Sequence, residues 1–556
     1  RQITLPFPPS SSSAITHKEK GISIGKSGTA TTTRKRNCHP RRPAAKSTMV
    51  AVALNQMLVV AAASPAVTAF SWRSCFTLLF PLLFVASFTL AAAAGGVPGA
   101  GNGVFSVKYR YAGMQRTLSD LKAHDDRRQL QILAGVDLPL GGTGRPNGVG
   151  LYYAKIGIGT PSNDYYVQVD TGSDIMWVNC IQCKECPRTS TLGIDLTLYD
   201  INESASGTLV TCDQEFCSEV NGGPLSGCTA NVTCPYLEIY GDGSSTAGYF
   251  VKDVVQYDTV SGDLETASAN GSVIFGCGAR QSGDLGSSTE AALDGILGFG
   301  KANSSMISQL AATGRVKKIF AHCLDGENGG GIFAIGHVVE PRVNTTPIIQ
   351  DQPHYNVNMT AVQVGHDMLN LSAEVFDAGE KKGAIIDSGT TLAYLPEMVY
   401  TPLVTKIISE QPNLRVQTVH DEYTCFQYSG SVDDAFPNVT FHFENSLLLR
   451  VYPHEYLFPF QEGYWCLGWQ NSGLQSRDRR NMTLLGDLVL SNKLVLYDLE
   501  NQAIGWTEYN CSSTITVKDE KTGTVHLVGS HTIPSSASNF RAEWAVVLLL
   551  LSTLLL

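Results

Sequence analysis

Two aspartic acids stand in nearly the same short motif at widely separated points of the chain. Asp170 opens Asp-Thr-Gly-Ser, and Asp387 opens Asp-Ser-Gly-Thr. Two carboxyl groups held about 3 Å apart cannot both ionise cheaply, so such a pair shares one proton. One carboxyl group can then take a proton from water while the other gives one to a carbonyl oxygen. The pair therefore predicts peptide hydrolysis without a covalent intermediate, a metal or any other cofactor.

The residues that follow each aspartic acid suit the same task. In each motif a glycine allows a tight backbone path and leaves room for a facing lobe. The hydroxyl group before that glycine can brace the turn, and the one after it can bond to the edge of the carboxylate. The predicted supporting residues are therefore Thr171, Gly172 and Ser173 in the first motif, and Ser388, Gly389 and Thr390 in the second.

The two motifs belong to an imperfect internal repeat. An apolar run precedes each motif, and a short apolar element with a glycine follows each, as Asp294-Gly-Ile-Leu-Gly298 and Leu484-Leu-Gly-Asp487. The first half is longer, largely because of a cysteine-rich stretch over residues 180–234. Two related lobes, one of them carrying an insertion, would produce this arrangement. The alternative is that each aspartic acid merely caps a turn, but turn chemistry explains no repeat.

Composition favours a strand-rich globular body that must position these motifs. Of the 556 residues, 43% are hydrophobic and only 16% are charged, and 53 are glycine, which argues against disorder and against coiled coils. Short β-branched and aromatic runs separated by Gly, Asn, Asp and Pro predict strands, and the apolar spacing of residues 396–409 predicts a helix. Most of the basic excess lies in residues 1–48, which carry ten Lys or Arg. The remaining body is acidic, so nucleic acid is excluded as a partner.

The segments outside this body suggest export. Residues 1–48 are interpreted as an extension of the gene prediction, with a transit peptide as the alternative, and translation is expected to start at Met49 or Met57. An apolar run over residues 74–94, closed by small residues, predicts a cleaved signal peptide, and a membrane-spanning helix is its rival. The expected segments are 49–95 for the signal region, 96–150 for a propeptide and hinge, 151–347 and 348–511 for the two lobes, 512–538 for a polar stalk, and 539–556 for a terminal signal.

Twelve cysteines lie beyond the export signal, a number that suits six disulfides in an oxidising compartment. The spacing Cys180-x-x-Cys183-x-x-Cys186 also fits a zinc or redox site, although a secretory route favours bridges. Export makes glycosylation sequons meaningful. The predicted acceptors are Asn202, Asn231, Asn270, Asn303, Asn344, Asn358, Asn370, Asn438, Asn481 and Asn510.

Over residues 150–511 the chain resembles the pepsin family of aspartic proteases, and specifically its plant nepenthesin-like and nucellin-like branch. The resemblance rests on Asp170-Thr-Gly-Ser-Asp-Ile-Met-Trp177, on Tyr240-Gly-Asp-Gly-Ser244 and on Leu484-Leu-Gly-Asp487. It implies a mainly β, bilobal fold with a pseudo-two-fold axis and a central cleft. It also implies that Trp177 supports the active-site strand and that Tyr240 belongs to a hairpin flap that closes over substrate. An ordinary hairpin is the alternative for Tyr240.

The same resemblance implies a disulfide between Cys425 and Cys466, endopeptidase activity with an acidic optimum, and a monomer that binds a peptide or protein in its cleft. Ser388 replaces the threonine of animal members and keeps the hydroxyl group. Inactive inhibitor-like relatives usually lose one of the two motifs, and both are intact here. A catalytically silent binding or inhibitor protein nevertheless remains the rival class, and a disulfide-rich adhesion domain is a third that leaves the repeat unexplained.

The C-terminus resembles an attachment signal for a glycosylphosphatidylinositol (GPI) lipid. Small residues at 534–538 precede a short polar spacer and an apolar tail over residues 544–556. Ser535 or Ser536 is the predicted anchor point, and a tail-anchored helix is the alternative. The expected location is the outer face of the plasma membrane or the cell wall.

Overall fold

The fold is that of a computed structural model, which describes residues 135–146, 150–286, 288–372, 374–377, 383–419, 423–461, 463–474, 482–520 and 522–533. The predicted export signal, most of the propeptide, Asn481, Ser535, Ser536 and the terminal tail lie outside these residues. None of the described helices is long and apolar enough to cross a membrane.

The N-terminal half is built almost entirely of strands, as its β-branched and aromatic runs predict. Its strands are β1 (Val136–Asp137), β2 (Leu140–Thr143), β3 (Leu151–Ile158), β4 (Asn163–Asp170), β5 (Trp177–Asn179), β6 (Thr208–Leu209), β7 (Pro235–Ile239), β8 (Ser245–Gly262), β9 (Glu265–Ser282), β10 (Gly295–Gly298), β11 (Ile319–Leu324), β12 (Gly331–Ile335) and β13 (His337–Glu340).

The C-terminal half is also mostly β. Its strands are β14 (Asn344–Pro347), β15 (Asn356–Val357), β16 (Met359–Val364), β17 (Asp367–Met368), β18 (Ala384–Ile386), β19 (Ala393–Leu395), β20 (Val416–Val419), β21 (Tyr423–Gln427), β22 (Val439–Phe443), β23 (Leu448–Val451), β24 (Leu457–Gln461), β25 (Tyr464–Leu467), β26 (Trp469–Asn471), β27 (Thr483–Leu485), β28 (Lys493–Asp498), β29 (Ala503–Glu508), β30 (Thr514–Lys518) and β31 (Val525–Gly529).

Helices are short, apart from the one predicted near residue 400, which is confirmed over Glu397–Ser409. It buries Val399, Leu403 and Ile407, which follow one another at helical spacing. The α-helices are α1 (Glu215–Val220), α2 (Met306–Ala312), α3 (Glu374–Asp377), α4 (Glu397–Ser409), α5 (Val432–Ala435), α6 (Pro453–Tyr456) and α7 (Asp487–Leu490), and the 3-10 segments are Gly283–Leu285, Glu444–Ser446 and Ser472–Leu474.

The internal repeat appears as the same three-strand arrangement in both halves. In the first half, β10 pairs in parallel with β4, which ends on Asp170, and antiparallel with β5. In the second, β27 pairs in parallel with β18, whose last residue precedes Asp387, and antiparallel with β19. Asp170 is therefore the last residue of one central strand, and Asp387 directly follows another. In each half, the strand that pairs in parallel with it is the apolar element that follows the motif in the repeat.

The two halves share one sheet. Strands β14, β29 and β28 of the C-terminal half continue through β11, β12 and β1 into the N-terminal strands. At the junction β11 pairs with β28, so that Phe320 lies opposite Tyr497, and their rings stack 4.5 Å apart. A continuous sheet with an aromatic core fixes the position of one motif relative to the other.

All twelve cysteines of the body form disulfides. The pairs are Cys180–Cys277, Cys183–Cys186, Cys212–Cys228, Cys217–Cys234, Cys323–Cys511 and Cys425–Cys466. The closely spaced Cys180, Cys183 and Cys186 are therefore bridged, and the zinc or redox interpretation of that run is wrong.

The boundaries of the body differ from those predicted. Strands β1 and β2 belong to the main sheet although they lie in the predicted hinge, and β14 pairs with the C-terminal half. The predicted polar stalk is also wrong in its first part, because β30 and β31 form an antiparallel hairpin whose β30 pairs with β13. Strand β30 alternates polar and apolar residues and is followed by a turn that contains Gly523, a pattern typical of a hairpin.

The hairpin is packed against the body rather than lying free in solvent. Ile515, Val517 and Val528 are almost fully buried in a cluster with the Cys323–Cys511 bridge. Beyond β31, His531 Nε2 lies 2.8 Å from Asp137 Oδ2 of β1, and this contact raises the pKa of His531. The chain thus returns to its own first strand before it leaves the described region.

A chain that ends at Ser513, and so lacks residues 514–533, is expected to have a less stable body. Three buried aliphatic side chains would be lost, each contributing about 1.5–3 kcal/mol, so the melting temperature should fall by several degrees. The control is a chain that ends at Ile533, which keeps the hairpin and should melt like the longer protein. Equal melting temperatures for the two truncations in a thermal scan would show that the hairpin contributes nothing.

Candidate active site

Asp170 is held at the end of β4 by its own turn. Its Oδ1 accepts a hydrogen bond of 2.8 Å from the Gly172 amide, and its Oδ2 accepts one from the Ser173 hydroxyl group. The backbone carbonyl of Asp170 accepts a bond of 2.8 Å from the Phe299 amide, just beyond β10. Both the side chain and the main chain of Asp170 are therefore fixed.

Asp387 is held in the same way in the other half. Its Oδ1 accepts a bond of 2.8 Å from the Gly389 amide, and its Oδ2 accepts one of 2.7 Å from the Thr390 hydroxyl group. The Asp387 amide donates to the Leu485 carbonyl of β27 at 3.1 Å. The correspondence between the two turns is atom for atom at the carboxyl groups, as a pseudo-two-fold axis requires.

The glycine of each motif lies against the aspartic acid of the other motif, where there is no room for a side chain. A methyl group added at Gly172 would lie 2.6 Å from the Asp387 carboxyl group, and one added at Gly389 would overlap Asp170 Oδ1. Each glycine of one motif therefore faces the aspartic acid of the other. Any side chain at either position would force the carboxyl groups apart.

The bracing between the two motifs is asymmetric. Thr171 Oγ1 accepts a hydrogen bond of 2.9 Å from the Ser388 amide and donates to the Ile386 carbonyl at 3.4 Å. The corresponding hydroxyl group of Ser388 is buried and has no hydrogen-bond partner in the described part of the chain. Of the two corresponding hydroxyl groups, that of Thr171 bridges the axis and that of Ser388 does not.

Two buried side chains, Tyr497 and His322, form a chain of polar contacts that ends at Thr171. Tyr497 OH lies 3.5 Å from Thr171 Oγ1 and 3.1 Å from His322 Nε2. His322 is fully buried, and burial lowers its pKa to about 3, so the imidazole stays neutral in all but strong acid. No local pattern in the sequence points to Tyr497 and His322 as partners of Thr171, because their roles depend on contacts between β11 and β28.

Burial and mutual repulsion control the charge of the pair. Asp170 and Asp387 are 6% and 7% exposed. Burial, followed by the charge of Asp387, raises the pKa of Asp170 to about 7, although bonds from Ser173 and Gly172 act in the opposite direction. The pair therefore retains one proton throughout the acidic range.

A third buried carboxyl group, that of Asp487, lies close to Asp170 and Asp387. Asp487 opens α7 directly after β27, is 1% exposed, and neither of its oxygens has a hydrogen-bond partner among the described residues. Burial, followed by the charges of Asp387 and Asp170, raises the pKa of Asp487 well above its ordinary value, which favours the protonated, neutral form. In the sequence, Asp487 stands out only as part of the repeat, where a glycine and an acidic residue follow the end of an apolar run.

Tyr240 lies at the tip of the hairpin between β7 and β8. Its hydroxyl oxygen accepts a hydrogen bond of 2.6 Å from Trp177 Nε1 of β5. Burial and then the charge of Asp170 raise the pKa of Tyr240 well above its ordinary value, so the phenol is close to the catalytic pair and neutral. The structure thus brings together Trp177, Tyr240 and Asp170.

The remaining predicted residues lie away from this site. Cys425 and Cys466 form a bridge between paired strands β21 and β25. Of the predicted glycosylation acceptors within the described residues, Asn358 is partly buried and the others are exposed. No group of three or more His, Cys, Asp or Glu side chains in the described residues could hold a metal ion.

Two protein-family models match the two halves of the chain. The model described as Xylanase inhibitor N-terminal matches residues 152–337, and the one described as Xylanase inhibitor C-terminal matches residues 354–508. Both describe pepsin-like domains. The chain belongs to the pepsin-like family of aspartic proteinases.

The relatives that it resembles are plant proteins. It is 49% identical to "Aspartic proteinase 36" of Arabidopsis thaliana over 81% of this chain and 92% of the relative. It is 28% identical to "Aspartic proteinase nepenthesin-2" of Nepenthes gracilis over 69% of this chain and 82% of the relative. The fold is similar to that of basic 7S globulin from soybean, with a TM-score of 0.52 and 20% identity over 67% of this chain and 96% of that structure.

The asymmetric bracing leads to opposite expectations for two conservative substitutions. Thr171→Val leaves the buried Ser388 amide without its acceptor, which should lower the free energy of unfolding by about 1–3 kcal/mol. Ser388→Ala removes a hydroxyl group that has no partner and should be nearly neutral. Urea unfolding of the two variants measures the difference. Equal destabilisation would mean that the bracing is symmetric.

Proposed function

We propose that the protein is an aspartic endopeptidase that uses Asp170 and Asp387 as its catalytic pair. The observation that carries this proposal is the pair of buried carboxyl groups, each held by a glycine amide and a hydroxyl group and together retaining one proton. Such a pair can supply an acid and a base at the same point.

In the proposed reaction a water molecule lies between the two carboxyl groups. The ionised group accepts a proton from water as the water oxygen attacks the peptide carbonyl carbon, and the protonated group donates its proton to the carbonyl oxygen. A proton then passes to the amide nitrogen as the C–N bond breaks, which yields a carboxyl group and an amine. The motif glycines permit the close approach that this exchange needs.

The substrate would be an extended peptide or protein segment lying between the catalytic pair and the hairpin that carries Tyr240. The Trp177–Tyr240 bond supports a defined resting position for that hairpin. We propose that the enzyme acts as a monomer.

Replacing Asp170 or Asp387 by asparagine should reduce peptide hydrolysis by about 10²- to 10⁴-fold or more, because the acid–base pair is lost. The unmodified enzyme should be most active in acid and lose activity as the pH rises through about 7, where Asp170 loses the shared proton. The measurement is hydrolysis of a quenched peptide between pH 3 and 8, with and without a pepstatin-type statine inhibitor.

The matched control is Asp195→Asn, which removes an exposed carboxyl group outside both motifs and should leave activity unchanged. Activity above a few per cent in both catalytic variants, or an alkaline optimum, would refute the assignment.

A catalytically silent binding or inhibitor protein is the second candidate, and the description of both matching family models as xylanase inhibitor domains favours it. The same assay separates the two. Binding of the statine inhibitor without turnover of any peptide by the processed protein would support the silent alternative.

We further propose that the protein is exported and held by a GPI lipid at the outer face of the plasma membrane, facing the cell wall. The proposal rests on the apolar run at residues 74–94 and on the small residues, spacer and apolar tail over residues 534–556. An acidic extracellular compartment would suit the protonated pair.

Phosphatidylinositol-specific phospholipase C is expected to release active enzyme from intact cells, because the lipid at Ser535 or Ser536 would be its only attachment. A chain that ends at Ile533 is the control and should be secreted without treatment. If the enzyme stays in the membrane fraction and keeps an epitope placed at its C-terminus, the tail is a membrane helix instead.

A further inference from the structure

Glu238 shares one face of the flap hairpin with Tyr236 and Tyr240. Strand β7 alternates, so that Leu237 and Ile239 are 62% and 68% exposed while Tyr236 is only 6% exposed. Residues 236, 238 and 240 share the opposite face from Leu237 and Ile239. That face is the inner one, because Tyr240 on it bonds to Trp177.

The partner strand confirms this orientation. Glu238 stands opposite Thr246 of β8, and directly opposed residues of antiparallel strands point to the same face. Thr246 is fully buried, and its hydroxyl group lies 3.0 Å from Tyr236 OH. Glu238 itself is only partly buried, unlike Thr246.

The Glu238 carboxyl group has no hydrogen bond and no ion pair within the described part of the chain, although its backbone belongs to the β7–β8 ladder. The charged group that acts on it is Asp174, which follows the first motif and whose Oδ1 accepts a 2.8 Å bond from the Ala302 amide. Glu238 in turn acts on its neighbours Tyr236 and Tyr240. The Glu238 and Asp174 carboxyl groups are therefore close enough to repel each other when both are ionised.

The nearest basic groups are directed elsewhere. Lys301 and His354 act on Asp174, but Lys301 Nζ donates to the Gln352 carbonyl at 2.9 Å. Neither of these two basic groups contributes to the electrostatics of Glu238. Neither basic group therefore compensates the charge of ionised Glu238, and a cation bound beside Glu238 would do so.

We propose that Glu238 is a specificity-determining residue, whose carboxyl group binds a lysine or arginine side chain of the peptide in the cleft. The inference rests on the proposed peptide-binding function but not on turnover. A cationic side chain close to Glu238 and Asp174 would offset the repulsion between the two carboxylates. It would also donate hydrogen bonds to the Glu238 carboxyl group in place of those that burial from water has removed.

This selectivity should strengthen as the pH rises. Burial, and then Asp174, raises the pKa of Glu238 to about 7, so the free enzyme holds a proton there in acid. A cation favours the ionised form, and its binding therefore releases that proton. By linkage, the preference for lysine over an uncharged residue should increase by up to about tenfold per pH unit below 7.

The test uses statine-peptide inhibitors that carry lysine or norleucine at one of four positions around the statine. Binding to the purified, processed protein is measured by calorimetry at pH 4, 5 and 6. At one position the unmodified protein should prefer lysine by about tenfold or more at pH 6, and less at pH 4. In Glu238→Gln the ratio should fall to about 1 at every pH, and in Glu238→Lys an inhibitor with glutamate there should bind better.

The control is Glu265→Gln, an exposed carboxyl group at the opposite end of the long β8–β9 hairpin, which should keep the lysine preference. A pH-dependent preference that is lost only in the Glu238 variants supports the inference, even if no peptide is hydrolysed and the proposed activity is wrong. Hydrolysis without a lysine preference at any position, a preference unchanged in Glu238→Gln, or no binding of any inhibitor overturns it.

Discussion

The close approach of two buried carboxyl groups is the constraint on which the rest of the structure depends. Like charges in a dry junction repel, so the arrangement persists only because one proton is shared and because each carboxyl group accepts two hydrogen bonds from its own turn. The glycine of each motif is required by the same approach, since a methyl group in either place would collide with the opposite aspartic acid. The shared sheet then keeps the two halves from separating.

Several buried acidic groups of this protein hold a proton in acid. Burial is the chief cause that raises the pKa of Asp170, Glu238 and Asp294 to about 7, and it also raises the pKa of Asp487 well above its ordinary value. Because each folded-state pKa lies above its unfolded value, the folded chain binds more protons than the unfolded one between about pH 4 and 7. The contribution of these four groups to stability is therefore greatest in acid and declines as the pH rises through that window, which suits the acidic setting proposed for the protein.

Additions to the repeat are confined to its periphery. The cysteine-rich insertion contains three bridges of its own, Cys183–Cys186, Cys212–Cys228 and Cys217–Cys234, and the last two pack near the base of the flap with Phe250 and Trp177. The hairpin of β30 and β31 closes the other side of the N-terminal half and returns to Asp137. These additions support the flap and the first strand, whereas the catalytic turns themselves keep the same geometry in both halves.

The sequence by itself predicted the paired aspartic acids, the repeat and the β character, because each depends on residue types at short spacing: a turn needs its glycine and a strand its alternation. The Tyr240 hairpin follows from the resemblance of its motif to the family, and the hairpin at residues 514–529 carries a comparable local pattern. Only the tertiary structure decided that Thr171 and not Ser388 bridges the axis, that His322 and Tyr497 support Thr171, and that Asp487 lies close to Asp170 and Asp387. These depend on side chains that meet across hundreds of residues, where the depth of burial and the orientation of each strand set the hydrogen bonds and charges that no local pattern encodes.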